Sequence, residues 1–354
     1  KSKKVLDLFP LSDVGYWHAI HAYNSLGDND KVFYLQRLFK KKNINSDRFT
    51  SLCIGNKIIE KRFNSIGINK SKKEFNLFFS DSGLFGYTLL KFKSSLKNVN
   101  DSDFVIFISC HGGFSNLLAA VLNAIGLAKL LKIKNVYLIK TKLSEKFFSN
   151  KLNFGDILIK LTDQEPEDNY ISGTFFSHLK FLEIFEPNFR NNRLDYARKI
   201  MKINARSISF ADRDLVIHIR SGDIFGNQKF YNKYGQPPLS FYILCIRDFN
   251  PSSVTLIYED KKNPVIDLLI NFLRDIGCPI KRPNFRGIKE DISYIYNAKN
   301  VVCGNGTFVL GILLGSIKLK NLYIFEANEE CKKNWALDRQ INLNNIVDAN
   351  GIYS

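Results

Sequence analysis

Residues 103–140 read DFVIFISCHGGFSNLLAAVLNAIGLAKLLKIKNVYLIK. Phe104 to Ile108 form a short, continuous apolar run of the kind that fills a strand buried on both faces. Gly112 and Gly113 then break the run. The Ala- and Leu-rich segment after them is too long for a strand and consists of strong helix formers. KNVYLIK returns to strand composition. Strand, glycine loop, helix and strand make a βαβ unit, whose crossover is right-handed and whose helix start presents free backbone N–H groups. This stretch sets the class as α/β.

The same alternation continues outward. Strands are expected at 214–220, 254–258, 300–303 and 321–325, with FYILCIRDF, NPVIDLLINFLRDIG and KEDISYIYNAK as helices between them. RLDYARKIMKI reads as a helix, and DQEPEDN as an acidic loop. In the first hundred residues, VLDLF, FTSLCIG and EFNLFFSDSG read as strands and GYWHAIHAYNSLG as a helix closed by Gly27. No internal repeat or low-complexity segment is visible. The simplest architecture is two Rossmann-like domains facing a cleft. Residues 1–205 would form the N-terminal one, with an extra α/β segment at 1–100 and the βαβ core at 103–140; residues 206–354 would form the C-terminal one.

A chain of 354 residues can bury two such cores, and 45% hydrophobic with 13% aromatic residues marks a globular protein. Lys plus Arg total 51 against 34 Asp plus Glu, a net charge of +17. Clusters such as Lys40-Lys41-Lys42, Lys72-Lys73 and Lys281-Arg282 are each ordinary solvated surface. Their sum favours an anionic partner: a nucleotide, an acidic sugar or a membrane surface. Nucleic acid is disfavoured, because no arginine stripe, aromatic RNA-binding motif or zinc-finger spacing occurs. Cys53, Cys110, Cys245, Cys278, Cys303 and Cys331 include no CxxC pair and read as free thiols of a reducing compartment. The charged start KSKKVLDLF is no secretory segment, and the longest apolar run, 306–317, is broken by Gly311 and Gly315. A cytoplasmic location, peripheral at the inner face of the membrane, follows as an expectation. A start without Met suggests a piece of something longer.

Four features lie where strands end. LVIHIRSGD places His218, Arg220, Ser221 and Asp223 after a β-branched run that has no packing use for His or Arg. LIYED places Glu259 and Asp260 after the next strand, and Glu290-Asp291 head a helix. VVCGNGTF runs a strand into Gly304, Asn305, Gly306 and Thr307, where small residues let a phosphate approach the backbone. Arginine supplies a planar fork for phosphate, and the carboxyl ends of parallel strands are where α/β sheets take ligands. The parts are those of a nucleotide pocket. The plainer alternatives are a strand-end ion pair of His218, Arg220 and Asp223, and an ordinary glycine turn at 304–307.

In order, HIRSGD, LIYED and EDISYIYNAKNVVCGNGTF resemble the three motifs of the α-1,2-fucosyltransferases and their relatives. HGGFSNLLAAVLNAIGLAKLL is similar to that family's glycine-led first helix, and GTFFSHLKFLEIF to the segment before its arginine motif. The resemblance spans about residues 103–326. It implies a GT-B glycosyltransferase with no essential metal and no cofactor beyond its nucleotide-sugar donor. It places Arg220 on the donor phosphate and His218 and Asp223 on the pocket floor. Gly306 and Thr307 would take the remaining phosphate oxygens, and Glu290 or Asp291 the base or ribose.

Ser221 stands where the family usually has a second Arg, a departure that counts against GDP-fucose and suits a donor with one phosphate. CMP-Kdo, used by β-Kdo transferase domains of bacterial surface-polysaccharide synthases, is the alternative by architecture and charge. NKYGQPP (232–238) and the first hundred residues have no counterpart in the motif pattern. Asp223 is the candidate nucleophile of a retaining reaction, and His111 the candidate acceptor-side base. The acceptor would be a growing O-antigen or capsule glycan, carried on a lipid in one version.

Two rivals stand beside this reading. A metal-dependent GT-A transferase would use a DxD spelling, found at Asp28-Asn29-Asp30, Asp101-Ser102-Asp103 and Asp212-Arg213-Asp214. A non-catalytic glycan- or nucleotide-binding protein is the other. His18 and His21 lack a third ligand and read as packing residues.

Overall fold

The computed structural model describes residues 88–91, 104–109, 112–166, 169–173, 175, 182, 188–225, 236–281, 287–304, 306–325 and 342–346. The strands and helix expected before residue 88 lie outside them. The chain divides into two compact units, Lys1–Arg193 and Leu194–Ser354.

In the first unit, strand β1 is Thr88–Lys91 and β2 is Phe104–Ile108, with every residue of β2 buried. Helix α1, Phe114–Leu130, returns the chain to β3, Asn135–Ile139. Helix α2, Lys142–Phe147, follows a capping box in which Thr141 Oγ1 accepts from the Ser144 N–H (3.0 Å) and Ser144 Oγ from the Thr141 N–H (2.8 Å). Strands β4, Lys151–Phe154, and β5, Ile157–Thr162, form a hairpin turning on Gly155-Asp156, where Gly155 takes φ +61°. Strand β6, Asn169–Gly173, completes the sheet.

The strand order is β1-β6-β2-β3-β5-β4; β6, β2, β3 and β5 are mutually parallel, and antiparallel β1 and β4 close the edges. The βαβ unit expected from the sequence is therefore the sheet's centre. Helix α1 is buried along nearly its whole length, and Gly126 leaves room for the Phe189 ring. A Cβ at Gly126 would sit 2.1 Å from Phe189 Cε2.

Helix α3, Phe189–Asn204, leads into the second unit. Its strands and helices alternate: β7 Asp214–His218, α4 Leu239–Phe249, β8 Ser253–Ile257, α5 Val265–Asp275, β9 Ile280–Lys281, α6 Ile288–Asn297, β10 Asn300–Cys303, α7 Thr307–Gly315, β11 Asn321–Phe325 and β12 Asn342–Ile346. All the strand pairs are parallel, in the order β12-β11-β10-β7-β8-β9. Counted within the unit this is 6-5-4-1-2-3, the doubly wound dinucleotide-fold order, which reverses between β7 and β10.

Leu215, Ile217 and Ile219 point, at period two, into a core with Phe241, Ile266 and Leu269. Full burial of one such isoleucine contributes about 1.5–3 kcal/mol. The alternate positions, His218 among them, face the other side of the sheet. Among the described residues no helix is long and apolar enough to cross a membrane, and Cys245, Cys278 and Cys303 are free thiols. The other cysteines lie outside the described residues.

The amino end of β7 is tied down by Asp214, which is 6% exposed. Burial pushes its pKa up. The Ser253 hydroxyl (2.5 Å), the Ala211 N–H (2.9 Å) and the Lys281 ammonium (3.3 Å) outweigh burial and hold the pKa below the usual carboxylate value. A group depressed in this way stabilises the fold above its unfolded pKa, and that contribution fades as pH falls through the folded value. Asp214→Asn is therefore expected to lose about 1–3 kcal/mol at neutral pH. In urea melts the gap to the parent chain should close below about pH 4; a constant gap across pH would contradict this account.

Candidate functional site

At the carboxyl end of β7 the chain runs through Ile219, Arg220 and Ser221 into a single 3-10 turn, Gly222–Phe225. Gly222 takes φ +69°, and a Cβ there would lie 2.1 Å from Glu259 Oε2. The left-handed backbone favours glycine there, and the bare Cα lets the Glu259 carboxylate rest against the turn.

The next loop, after β8, is fastened to this turn. Asp260 Oδ1 accepts from the Ser221 hydroxyl, the Gly222 N–H (3.1 Å) and the Lys262 N–H (3.0 Å). These bonds, the Ser221 hydroxyl first, hold the Asp260 carboxyl well below the usual carboxylate range. Ser221 Oγ accepts from the Asn263 N–H (3.1 Å), and Asn263 Nδ2 donates to the Arg220 carbonyl (2.9 Å). Asn263 Oδ1 also accepts from the Val265 N–H (3.0 Å), so one buried amide starts α5 and fixes the backbone of Arg220.

With its backbone so held, the half-buried Arg220 reaches across the switch point. Its Nη1 lies 3.1 Å from where a Cβ would stand on Gly306, which takes φ +138°. Gly306 is the N-cap of α7 and Thr307 its first residue. A guanidinium, a bare glycine and a helix N-terminus are thus brought together, and each favours an anion. Gly304 is equally crowded: a Cβ there would lie 3.2 Å from Tyr242 Oη and 3.4 Å from Gln236 Oε1.

His218 is half-buried beside Phe308, with ring centroids 5.4 Å apart. Burial, and then the neighbouring Arg220 charge, lower its pKa to about 4, so the imidazole is neutral at physiological pH. Glu290 and Asp291 occupy the first turn of α6, where the helix dipole favours acids. Burial, then Glu290, then Glu259 push the Asp291 carboxyl up to about 6. The charge of Glu259 is therefore felt at Asp291, which links the end of β8 to the start of α6.

The expected residues thus fall into distinct positions. Arg220, Gly306 and Thr307 meet across the switch point. Glu259, Glu290 and Asp291 form an acidic edge suited to hydroxyl or amine donors. Ser221 and Asp260 bond to each other within the loop clamp. The side chain of Asp223, and all of His111 and Asn305, lie outside the described residues. So do Asp28, Asp30, Asp101 and Asp103. Of the remaining DxD pair, Asp212 binds Lys299 (2.8 Å) and Lys320 (3.1 Å) and Asp214 binds Ser253, all at the amino end of the sheet.

Sequence reasoning missed Asn263 and Tyr242. Asn263-Pro264 is a helix-start signal that could have found the first. The left-handed turn at Gly222 was foreshadowed by Ser-Gly-Asp after a strand. Nothing local marks Tyr242, which reaches Gly304 from a different element.

No protein-family model matches the chain, and no curated protein does. Among solved structures it aligns with POFUT1 in complex with GDP at 11% identity, over 71% of this chain and 99% of that one, with a TM-score of 0.34. POFUT1 in complex with GDP-fucose aligns at 11% identity over 70% and 98% with a TM-score of 0.36, and in a second crystal form at 10% over 71% and 99% with a TM-score of 0.34. Superpositions of this quality carry no argument about fold or activity, so the functional reading rests on this chain's own residues.

Proposed function

We propose that the chain is a glycosyltransferase of GT-B type whose second unit holds a nucleotide-sugar donor. The observation that carries this reading is the approach of Arg220 to Gly306 at the head of α7, at the point where the strand order reverses. A donor phosphate beside them would be met by the guanidinium fork and the first N–H groups of α7. As the sugar leaves, negative charge grows on that phosphate, and both groups stabilise it more in the transition state than in the ground state. Glu259 and Asp291 suit the ribose or base. Ser221 and Asp260 act through the backbone of Arg220 rather than on the donor.

Position 221 is buried and bonded within the clamp, which favours a donor gripped by one arginine from this loop. GDP-fucose and CMP-Kdo both fit that description. In the inverting version a base such as His111 takes the acceptor's proton. In the retaining version Asp223 first displaces the nucleotide. The acceptor is a bacterial surface glycan, the first unit is the acceptor-side module, and the reaction takes place at the inner face of the membrane. The Asp212-Arg213-Asp214 pair, bonded at the opposite end of the sheet, supports the metal-independent reading over the GT-A one.

Thermal-shift titration with GDP, CMP and UDP tests the donor site directly. Stabilisation by GDP or CMP is expected, and Arg220→Ala should weaken it by about tenfold to a hundredfold, the loss of one charge-assisted pair. Stabilisation by UDP alone, or an unaffected Arg220→Ala, would overturn the donor reading.

If Asp291 accepts from ribose or base as a carboxylate, nucleotide affinity should fall about tenfold between pH 7 and pH 5, on the acid side of its raised pKa. Asp291→Asn should abolish that dependence at a uniformly lower affinity. Donor turnover should persist in excess chelator, whereas a GT-A enzyme would stop.

A further inference from the structure

We infer that the second unit docks on an anionic lipid bilayer with the surface at the amino ends of its strands, opposite the Arg220 mouth. The inference rests on a different part of the molecule from the donor site and stands without it.

The surface has two apolar tips. Ile203, on the last turn of α3, is 59% exposed, and Ile317, in the loop between α7 and β11, is 71% exposed. Several contacts join the segments that carry them. Helix α3 packs on the end of α7 so closely that a Cβ on Gly315 would lie 2.7 Å from Met201 Cγ and 3.1 Å from the Ala197 carbonyl. Ile317 follows Gly315 by two positions, and Ile203, two positions and about 200° past Met201, faces away from α7 to solvent. Lys318 Nζ then donates to Asn297 Oδ1 (2.8 Å), and Asn297 Nδ2 to the Arg206 carbonyl (2.8 Å). The segment after α3, the end of α6 and the 316–320 loop are thereby tied together.

Around the tips lie cations. Lys202 and Arg206 stand exposed on either side of Ile203, as do Lys318 and Lys320 after Ile317. Lys299 and Lys320 meet on Asp212 (2.8 and 3.1 Å). That carboxylate is already held by both lysines. Apolar side chains that project from a field of lysines match an interface with acyl carbon below and phosphate at the rim. Long Lys and Arg side chains can also bend back towards the headgroups.

Rival occupants fit less well. A nucleic acid offers phosphates but no apolar layer for the isoleucines. The core of a protein interface is depleted in lysine. Because the surface is at the amino ends of β7, β10 and β11, docking there turns the Arg220 end of the sheet towards the aqueous side.

Co-sedimentation of the full chain with phosphatidylcholine vesicles, with and without phosphatidylglycerol, tests the face. Binding is expected only with phosphatidylglycerol and should weaken with salt. Ile317→Asp and Ile203→Asp, at exposed positions where folding is unaffected, should each reduce partitioning at least about tenfold. Lys202→Ala should reduce it about fivefold. Ile317→Trp should raise it, and Lys134→Glu, an exposed site in the first unit, should leave it within about twofold. The inference is overturned by any of four results: equal partitioning to both vesicles, Ile317→Asp binding as the parent does, Lys134→Glu losing as much as Lys202→Ala, or capture of heparin, DNA or a second copy in place of vesicles.

Discussion

Asp260 Oδ1 accepts from three donors at once, the Ser221 hydroxyl and the backbone N–H groups of Gly222 and Lys262, and the shape of the second unit's mouth depends on that convergence. It ties the loop after β7 to the loop after β8. Asn263 adds a second tie by holding the Arg220 carbonyl. With its backbone pinned on one side, Arg220 has its guanidinium delivered to the other, over Gly306. A flexible loop would have to order that arginine each time an anion arrived, and the entropy lost would weaken the grip. Here the ordering is built into the fold.

The parallel sheet gives its two ends different work. At the carboxyl ends of β7 and β10 the chain departs in opposite directions, because the strand order reverses there, and Arg220 lies against Gly306 at the start of α7. At the amino ends the same strands are anchored by ion pairs and amide bonds, with Asp214 on Ser253 and Lys281, and Asn300 Nδ2 on the Asp214 carbonyl (2.9 Å). Asp214 and Asp212 at that end are bonded within the protein, whereas at the other end burial, and then repulsion by Glu290 and Glu259, push the Asp291 carboxyl up. Such repulsion is tolerated where a ligand supplies the missing donors.

Much of this was readable in advance, for identifiable reasons. The runs at Leu215–Ile217, Val254–Ile257 and Val301–Cys303 are apolar and β-branched because their strands are covered on both faces. Composition alone marks such strands, with no need to know the neighbours. Helix α5 showed itself by its period and by Gly277, which takes φ +67° after its end. Helix α7 did not, because TFVLGILLG is apolar all round and carries no period; a helix buried on every side looks like any other apolar run. Strand β12, NLNNI, was equally invisible, since polar residues form a strand there only by pairing with β11. The β4–β5 hairpin carries a local signal in its Gly-Asp turn, where Gly155 takes φ +61°.

By itself the sequence determined the α/β class, the positions of most strands in the second unit, and the placement of an arginine, acids and glycines just beyond strand ends. These are local properties, set by the period and chemistry of neighbouring residues. Only the tertiary structure decided which strand ends are adjacent, that Arg220 meets Gly306 while Ser221 turns away to Asp260, and that Asp291 feels Glu259. The physical reason is that strand order and cross-loop hydrogen bonds join residues tens of positions apart. No local pattern encodes such a pairing until the sheet has formed.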